Sequence, residues 1–259
     1  MKTHKVARIS GAFGGLFGIL VAGAIMGAVP AAAMGDKPQE QASPAKPAEQ
    51  KVAAADGAAK SAAKPATRDR FDGTADIVLG DENAPITVIE YASLTCSHCA
   101  AFHANVFPEF KKQYVETGKA KFILRHFVLN GPDLAASMVA RCGTTDDKRY
   151  HALVDLFFRR QASWIKPWQD LGQPPADARL SDLAVAAKLD EFVRPAGITA
   201  TQVRECLESD KLRDDLLKVR GEGQRQYEIT GTPTIIINGK VYDGDHNFAD
   251  FDKALRAAR

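Results

Sequence analysis

Ile86-Thr87-Val88-Ile89-Glu90-Tyr91 is followed, after four residues, by Cys96-Ser97-His98-Cys99. An apolar run of strand composition leads into a helix-like segment, and two cysteines with two residues between them sit at the junction. A helix N-terminus carries unpaired N–H groups and a partial positive charge, which stabilise an anion there. Cys96 at that point reads as an attacking thiolate. Cys99, one turn further in, reads as the resolving thiol that closes a disulfide with Cys96 or releases a trapped partner. Ser97 and His98 set the tone between them: a histidine there can stabilise the Cys96 sulfur in the reduced form only, which favours an oxidant. Two cysteines alone are a weak signal. Thr232-Pro233 strengthens it, because it directly precedes a second strand-like run, residues 234–238, and an Asn238-Gly239 hairpin turn.

Other chemistries fit these residues poorly. A structural zinc site takes four ligands, usually as two pairs, yet Cys142 and Cys206 stand apart from each other and from the first pair. A c-type haem needs histidine directly after the second cysteine, where Ala100 stands. No metal or cofactor is expected. His103, His126, His151 and His246 read as ordinary surface or core histidines. Glu90 has two readings, a proton relay or a carboxylate emerging at a solvated strand end. Trp164, Trp168 and residues 153–158 read as the core of a helical region, with a hydrophobic substrate groove as the alternative.

The segments 88–91, 96–99 and Gly231-Thr232-Pro233-Thr234 resemble those of the DsbA-like thiol:disulfide oxidoreductases of the thioredoxin superfamily, over roughly residues 71–259. The resemblance implies an α/β, thioredoxin-like fold with an all-helical domain inserted in it. It implies a cis Thr232–Pro233 bond facing the cysteines, with the Thr232 backbone free to pair with an extended substrate. It also makes Glu90 the buried acid that moves protons at Cys99. The best-known oxidases of the family carry proline where Ser97 stands and a residue other than threonine where Thr232 stands, so a reductase or isomerase stays open as the alternative. Cys142 and Cys206 are the remaining even pair and suggest a structural disulfide of the kind some members carry, with two buried free thiols as the other reading.

Composition sets the frame for this chemistry. With 259 residues, 45% hydrophobic and 25% charged, the chain can bury a full core once its front end is set aside. A net charge of +2 argues for neither nucleic acid nor a strongly anionic partner. Residues 1–33 begin with Lys2, Lys5 and Arg8, continue as an uncharged apolar run and reach Ala31-Ala32-Ala33, the pattern of a signal peptide cleaved after Ala33 or of an uncleaved membrane anchor. Either delivers the rest to the periplasm, where disulfides persist. Residues 34–68, rich in alanine, proline and lysine, read as a disordered linker.

The folded part is expected to start with a thioredoxin-like segment, residues 69–130. It holds strands at 77–79, 86–91 and 121–127 and a helix from Cys96 toward Thr117, kinked at Pro108. Residues 131–226 form the helical insertion, with patterns at 134–141, 150–160, 183–189, 202–207 and 212–227. Residues 227–259 complete the first domain with strands at 234–238 and 240–242 and a helix at 248–258 that Asn247 caps. The expected function is an exported oxidase that donates the Cys96–Cys99 disulfide to unfolded secreted proteins and is recharged by a membrane quinone-linked partner of the DsbB type. A chaperone-like binding module is the reading from another class.

Overall fold

Period-2 alternation builds the centre of the molecule. In the computed structural model, which describes residues 68–258, β2 (Ile86–Ala92) is the central strand of a sheet ordered β1-β3-β2-β4-β5. Ile86, Val88 and Ala92 belong to the larger hydrophobic cluster, while Ile89 and Tyr91 belong to a second cluster on the opposite face. Glu90 therefore points to the first face, into the larger core. β3 (Ala120–His126) lies parallel to β2, and β4 (Thr234–Ile237) lies antiparallel on its other side. The pairing sets Glu90 beside Leu124 and Ile235. β1 (Val78–Leu79) and β5 (Lys240–Val241) form the edges. Asn238 and Gly239 turn β4 into β5 with φ of 47° and 81°, the positive values that a two-residue hairpin of this twist requires.

The redox helix carries the expected kink at Pro108. α1 (Ser97–Asn105) and α2 (Phe107–Phe110), with Pro108 in its first turn, are separated only by Val106, which stays right-handed helical and is bridged by i→i−4 hydrogen bonds on both sides, and a π-type segment at Lys111–Val115 follows. Proline has no N–H to give the preceding turn, so the kink falls just ahead of it.

Between β3 and β4 the described chain is helical: α3 (Gly131–Cys142), α4 (Asp147–Arg159), α5 (Gln161–Asp170), α6 (Leu180–Ala186), α7 (Leu189–Val193), α8 (Ala200–Leu207) and α9 (Asp210–Tyr227). Asn130, Asp146, Thr199 and Ser209 cap α3, α4, α8 and α9, each accepting from a backbone N–H three residues on. The expected helix at 183–189 is divided instead, because Lys188 turns left-handed with φ of 59° and separates α6 from α7. α10 (Phe248–Ala257) closes the fold behind its Asn247 cap. These helices share the larger cluster with the sheet: Trp164 and Trp168 are buried in it, as core and not as a groove. α9 covers the other face, where Gly223 lets the Tyr91 ring approach so closely that a methyl group would stand 2.6 Å from it.

Cys142 at the end of α3 and Cys206 in α8 are joined by a disulfide with Cα atoms 5.5 Å apart. Arg68 donates to the carbonyls of Arg141 and Thr144, so the last residue assigned to the linker is docked on the insertion. The rest of that linker and the signal or anchor of residues 1–33 lie outside the described residues. Among the described residues no helix is long and apolar enough to cross a membrane.

Candidate active site

Cys96 is the N-cap of α1, with extended backbone (φ −79°, ψ 122°) and no side-chain oxygen capping the helix. The N2 and N3 amides, which an N-cap side chain ordinarily satisfies, belong here to His98 and Cys99. The Cys96 side chain closes no capping hydrogen bond of its own, and these amides act on its sulfur as nearby partial positive charges. Its pKa is lowered to about 5, chiefly by the hydrogen bond from the Cys99 thiol, working against desolvation and helped by Thr232 and by the backbone N–H groups of Cys99 and His98. Cys99 is pushed the opposite way. It is fully buried, and desolvation, its bond to Cys96 and the negative charge of Glu90 all hold it protonated. Both cysteines are free thiols, so this is the reduced form.

Thr232–Pro233 is a cis peptide bond, and in the thiol state Cys96 Sγ donates to the Thr232 carbonyl at 3.3 Å. Ser97 and His98 are exposed beside it. His98, an exposed residue, lowers the Cys96 pKa through its backbone N–H. Glu90 is completely buried beneath the pair, which removes the reading of a solvated strand end. Its Oε2 lies 2.8 Å from His103 Nε2, while Oε1 has no hydrogen-bond partner.

Three contributors were not legible as site residues. His103 reads as an ordinary histidine, but it lies four residues after Cys99, which places it on the same face of α1. There it stacks between Phe107 and Phe158, with ring centroids at 4.6 and 4.2 Å. Asp133 in the first turn of α3 is buried and accepts from the backbone N–H groups of Leu94 and Leu129, both at 2.8 Å. Burial raises its pKa to about 6 despite hydrogen bonds from Ser93, Leu129 and Leu94, and the charge of Cys96 adds to the rise. Gln161, at the start of α5, donates to the carbonyls of Leu94 and Cys96 at 2.9 and 3.0 Å. Asp133 and Gln161 thus clamp the loop that delivers Cys96 to its helix end. Among the described residues no cluster of three or more His, Cys, Asp or Glu side chains is placed to hold a metal ion.

A nucleophilic thiol at a helix N-terminus, facing a cis-proline across the end of a central strand, defines the thioredoxin class of redox sites. The thioredoxin family model matches residues 72–257, and the chain belongs to that family, in its DsbA-like branch. The crystal structure of Wolbachia pipientis alpha-DsbA1 is similar with a TM-score of 0.59 and 29% identity, covering 71% of this chain and 90% of that one. A Novosphingobium aromaticivorans protein-disulfide isomerase structure gives a TM-score of 0.64 at 26% identity, covering 72% and 97%. A Rickettsia bellii protein bearing a protein-disulfide oxidoreductase name is 29% identical over 187 residues, which is 71% of this chain and 66% of that protein. The chain thus spans slightly less than two thirds of that relative's length.

Proposed function

We propose that this protein is an exported thiol:disulfide oxidoreductase that donates the Cys96–Cys99 disulfide to unfolded secreted proteins. The opposed behaviour of the two sulfurs carries the reading: Cys96 is accessible and lowered to about 5, whereas Cys99 is buried and held protonated. A substrate thiolate attacks Cys96, Cys99 leaves, and a second substrate thiol resolves the mixed disulfide so that the Cys96 thiolate departs. Stabilising that thiolate stabilises the reduced enzyme and makes it an oxidant. Discounted by half for the solvent that reaches Cys96, the effect still makes the couple more oxidising by about 60 mV. Turnover then requires reoxidation, for which a membrane quinone-linked partner of the DsbB type is the proposed source. The names of the Rickettsia relative and of alpha-DsbA1 support the class of reaction.

A second reading, reduction or isomerisation of misplaced disulfides, is favoured by Thr232 before the cis-proline and by the name of the Novosphingobium structure. Equilibration of the Cys96–Cys99 couple with glutathione decides between the two. A potential near about −120 mV, with stoichiometric disulfide transfer to a reduced unfolded protein, is expected of the donor; one near about −270 mV would overturn that assignment in favour of a reductant.

A further inference from the structure

We propose that His103 and the cavity it lines form a proton entrance to the redox site, separate from the substrate face, through which Glu90 and then Cys99 are protonated. The inference rests on the disulfide-exchange reading and adds a route and a residue to it.

A buried sulfur that leaves a disulfide needs a proton, and the geometry around Cys99 limits where one can come from. Cys99 is wholly enclosed, and the Glu90 carboxylate whose charge acts on it is wholly enclosed too. The Glu90 carboxyl has one hydrogen-bond partner among the described residues, His103, at 2.8 Å through Nε2, and the far nitrogen of that ring, Nδ1, is buried without a hydrogen-bond partner. A carboxylate at Oε2 makes Nε2 the protonated nitrogen and Nδ1 a bare acceptor. An acceptor left in this state is costly unless it is used.

The cavity supplies the use. It has a volume of about 650 Å³, and His103, His151 and Phe107 line it, whereas Cys96, Cys99, Thr232 and Pro233 do not. Its mouth carries exposed Lys111, Glu116 and Lys148 together with half-buried Asp155, so it is both polar and roomy enough for solvent. The charged and titratable groups facing His103 are therefore Glu90 from β2, Cys99 from its own helix, Lys111 from the π-type segment and Glu116 just after it, and Lys148, His151 and Asp155 from α4. His151 is itself engaged, with Nε2 3.2 Å from the Ile77 carbonyl.

The step balances without any added reagent. A substrate thiolate bonds to Cys96 Sγ, the Cys96–Cys99 bond breaks, and Cys99 departs with the electron pair. Glu90 in its acid form gives Cys99 a proton. Glu90 is then recharged through the ring: Nδ1 is closed to solvent at rest, and a small swing of the ring brings it to the cavity, where it takes a proton from solvent while the Nε2 proton passes to Oε2. The substrate is oxidised, the enzyme disulfide is reduced, and one solvent proton ends on Cys99. Reoxidation runs the same path outward. His103 acts only through Glu90, so it is a positioning and relay residue and not a group that touches the sulfurs.

Single-turnover reduction of the oxidised full chain by dithiothreitol, quenched with acid and scored by thiol alkylation, tests the route at about pH 6 and about pH 8. His103→Gln is expected to be slowed about tenfold or more at the higher pH and far less at the lower, where protons reach Glu90 by rarer paths. Ala152→Trp, at the exposed mouth of the cavity and remote from the sulfurs, is expected to give the same pH-selective slowing with an unchanged glutathione equilibrium. Equal rates in wild type and both variants, or slowing by one factor at both pH values, would overturn the proposal; if His103→Gln fails to fold, Ala152→Trp alone decides. Failure of the disulfide-exchange reading looks different, because wild type itself would then not exchange.

Discussion

Removing the Cys99 thiol donor should raise the Cys96 pKa by a predictable amount. The thiol of Cys99 is the largest influence holding Cys96 at about 5. A hydrogen bond to a charged acceptor contributes about 1.5–3 kcal/mol, and S–H is a weak donor, so the lower end applies. At about 1.4 kcal/mol per pKa unit, Cys99→Ala should move the Cys96 midpoint up by about one, to about 6. Cys99→Ser keeps a hydroxyl donor and should stay near the wild-type value. At pH 5 the thiolate fraction would be about a half in the serine variant and about a tenth in the alanine variant. Thiolate absorbance at 240 nm against pH reads this directly. Superimposable curves for the two variants would refute the assignment of the Cys99 thiol as the main donor, and a wild-type midpoint near the ordinary cysteine value of about 8.5 would refute the whole picture of the helix end. The linkage to stability has a definite sign. A lowered folded-state pKa stabilises the reduced protein fully above about pH 8.5, and this contribution is lost as pH falls through about 5. The oxidised protein has no such group, so the stability gap between the two forms should widen from about pH 5 to about 8.5 in urea titrations.

Three further outcomes follow from the packing. Replacing Cys142 and Cys206 together by alanine opens a loop with a sequence separation of 64 residues, and chain entropy puts the loss at about 4 kcal/mol, an upper-range figure, to be read from denaturant midpoints. Asp133→Asn leaves one of the Leu94 and Leu129 amides without its acceptor, for a loss of about 1–3 kcal/mol at neutral pH. Because burial raises Asp133 to about 6, the wild-type carboxylate penalty is present above that pH and vanishes below about 3.9, so the variant should lose less relative to wild type as pH rises through this window. Gly223→Ala sets a helix-propensity gain of about 1 kcal/mol against overpacking of about 1–3 kcal/mol on Tyr91. A contact at 2.6 Å onto a ring that is fully buried makes the second effect win, and a rise in Tm would show that the ring can yield.

The parts of this site that the sequence displays are those whose local pattern and chemistry coincide. β2, the Cys96–Cys99 spacing, the Asn238-Gly239 turn and the Asn247 cap are each written within a few residues, and the structure carries all four. Cis geometry at Pro233 came only through resemblance, because an isolated X–Pro bond is mostly trans. Asp133 looks like an acid placed for the helix dipole, a solvated role in most helices; only the tertiary fold brings it under Leu94, 39 residues away in the chain. Gln161 is hidden for the same reason, in a helix whose pattern Pro167 interrupts. His103 reads in the sequence as an ordinary histidine, because spacing on a helix cannot tell a core histidine from one that meets a buried acid on the next layer.

The Cys142–Cys206 bridge bears on the order of events in a new chain. Both sulfurs are wholly enclosed once α3 and α8 have met, so no bulky oxidant can install the bond afterwards. The bond is most readily made while those helices are still assembling and both sulfurs are open to an oxidant. α3 also carries Asp133, which steadies the loop before Cys96, so a chain that misses this moment closes around two stranded thiols with the far end of that helix untied. On the proposed activity, an earlier generation of the same molecule has the chemistry to tie it, and a population of these proteins would then inherit its competence from the copies that folded before.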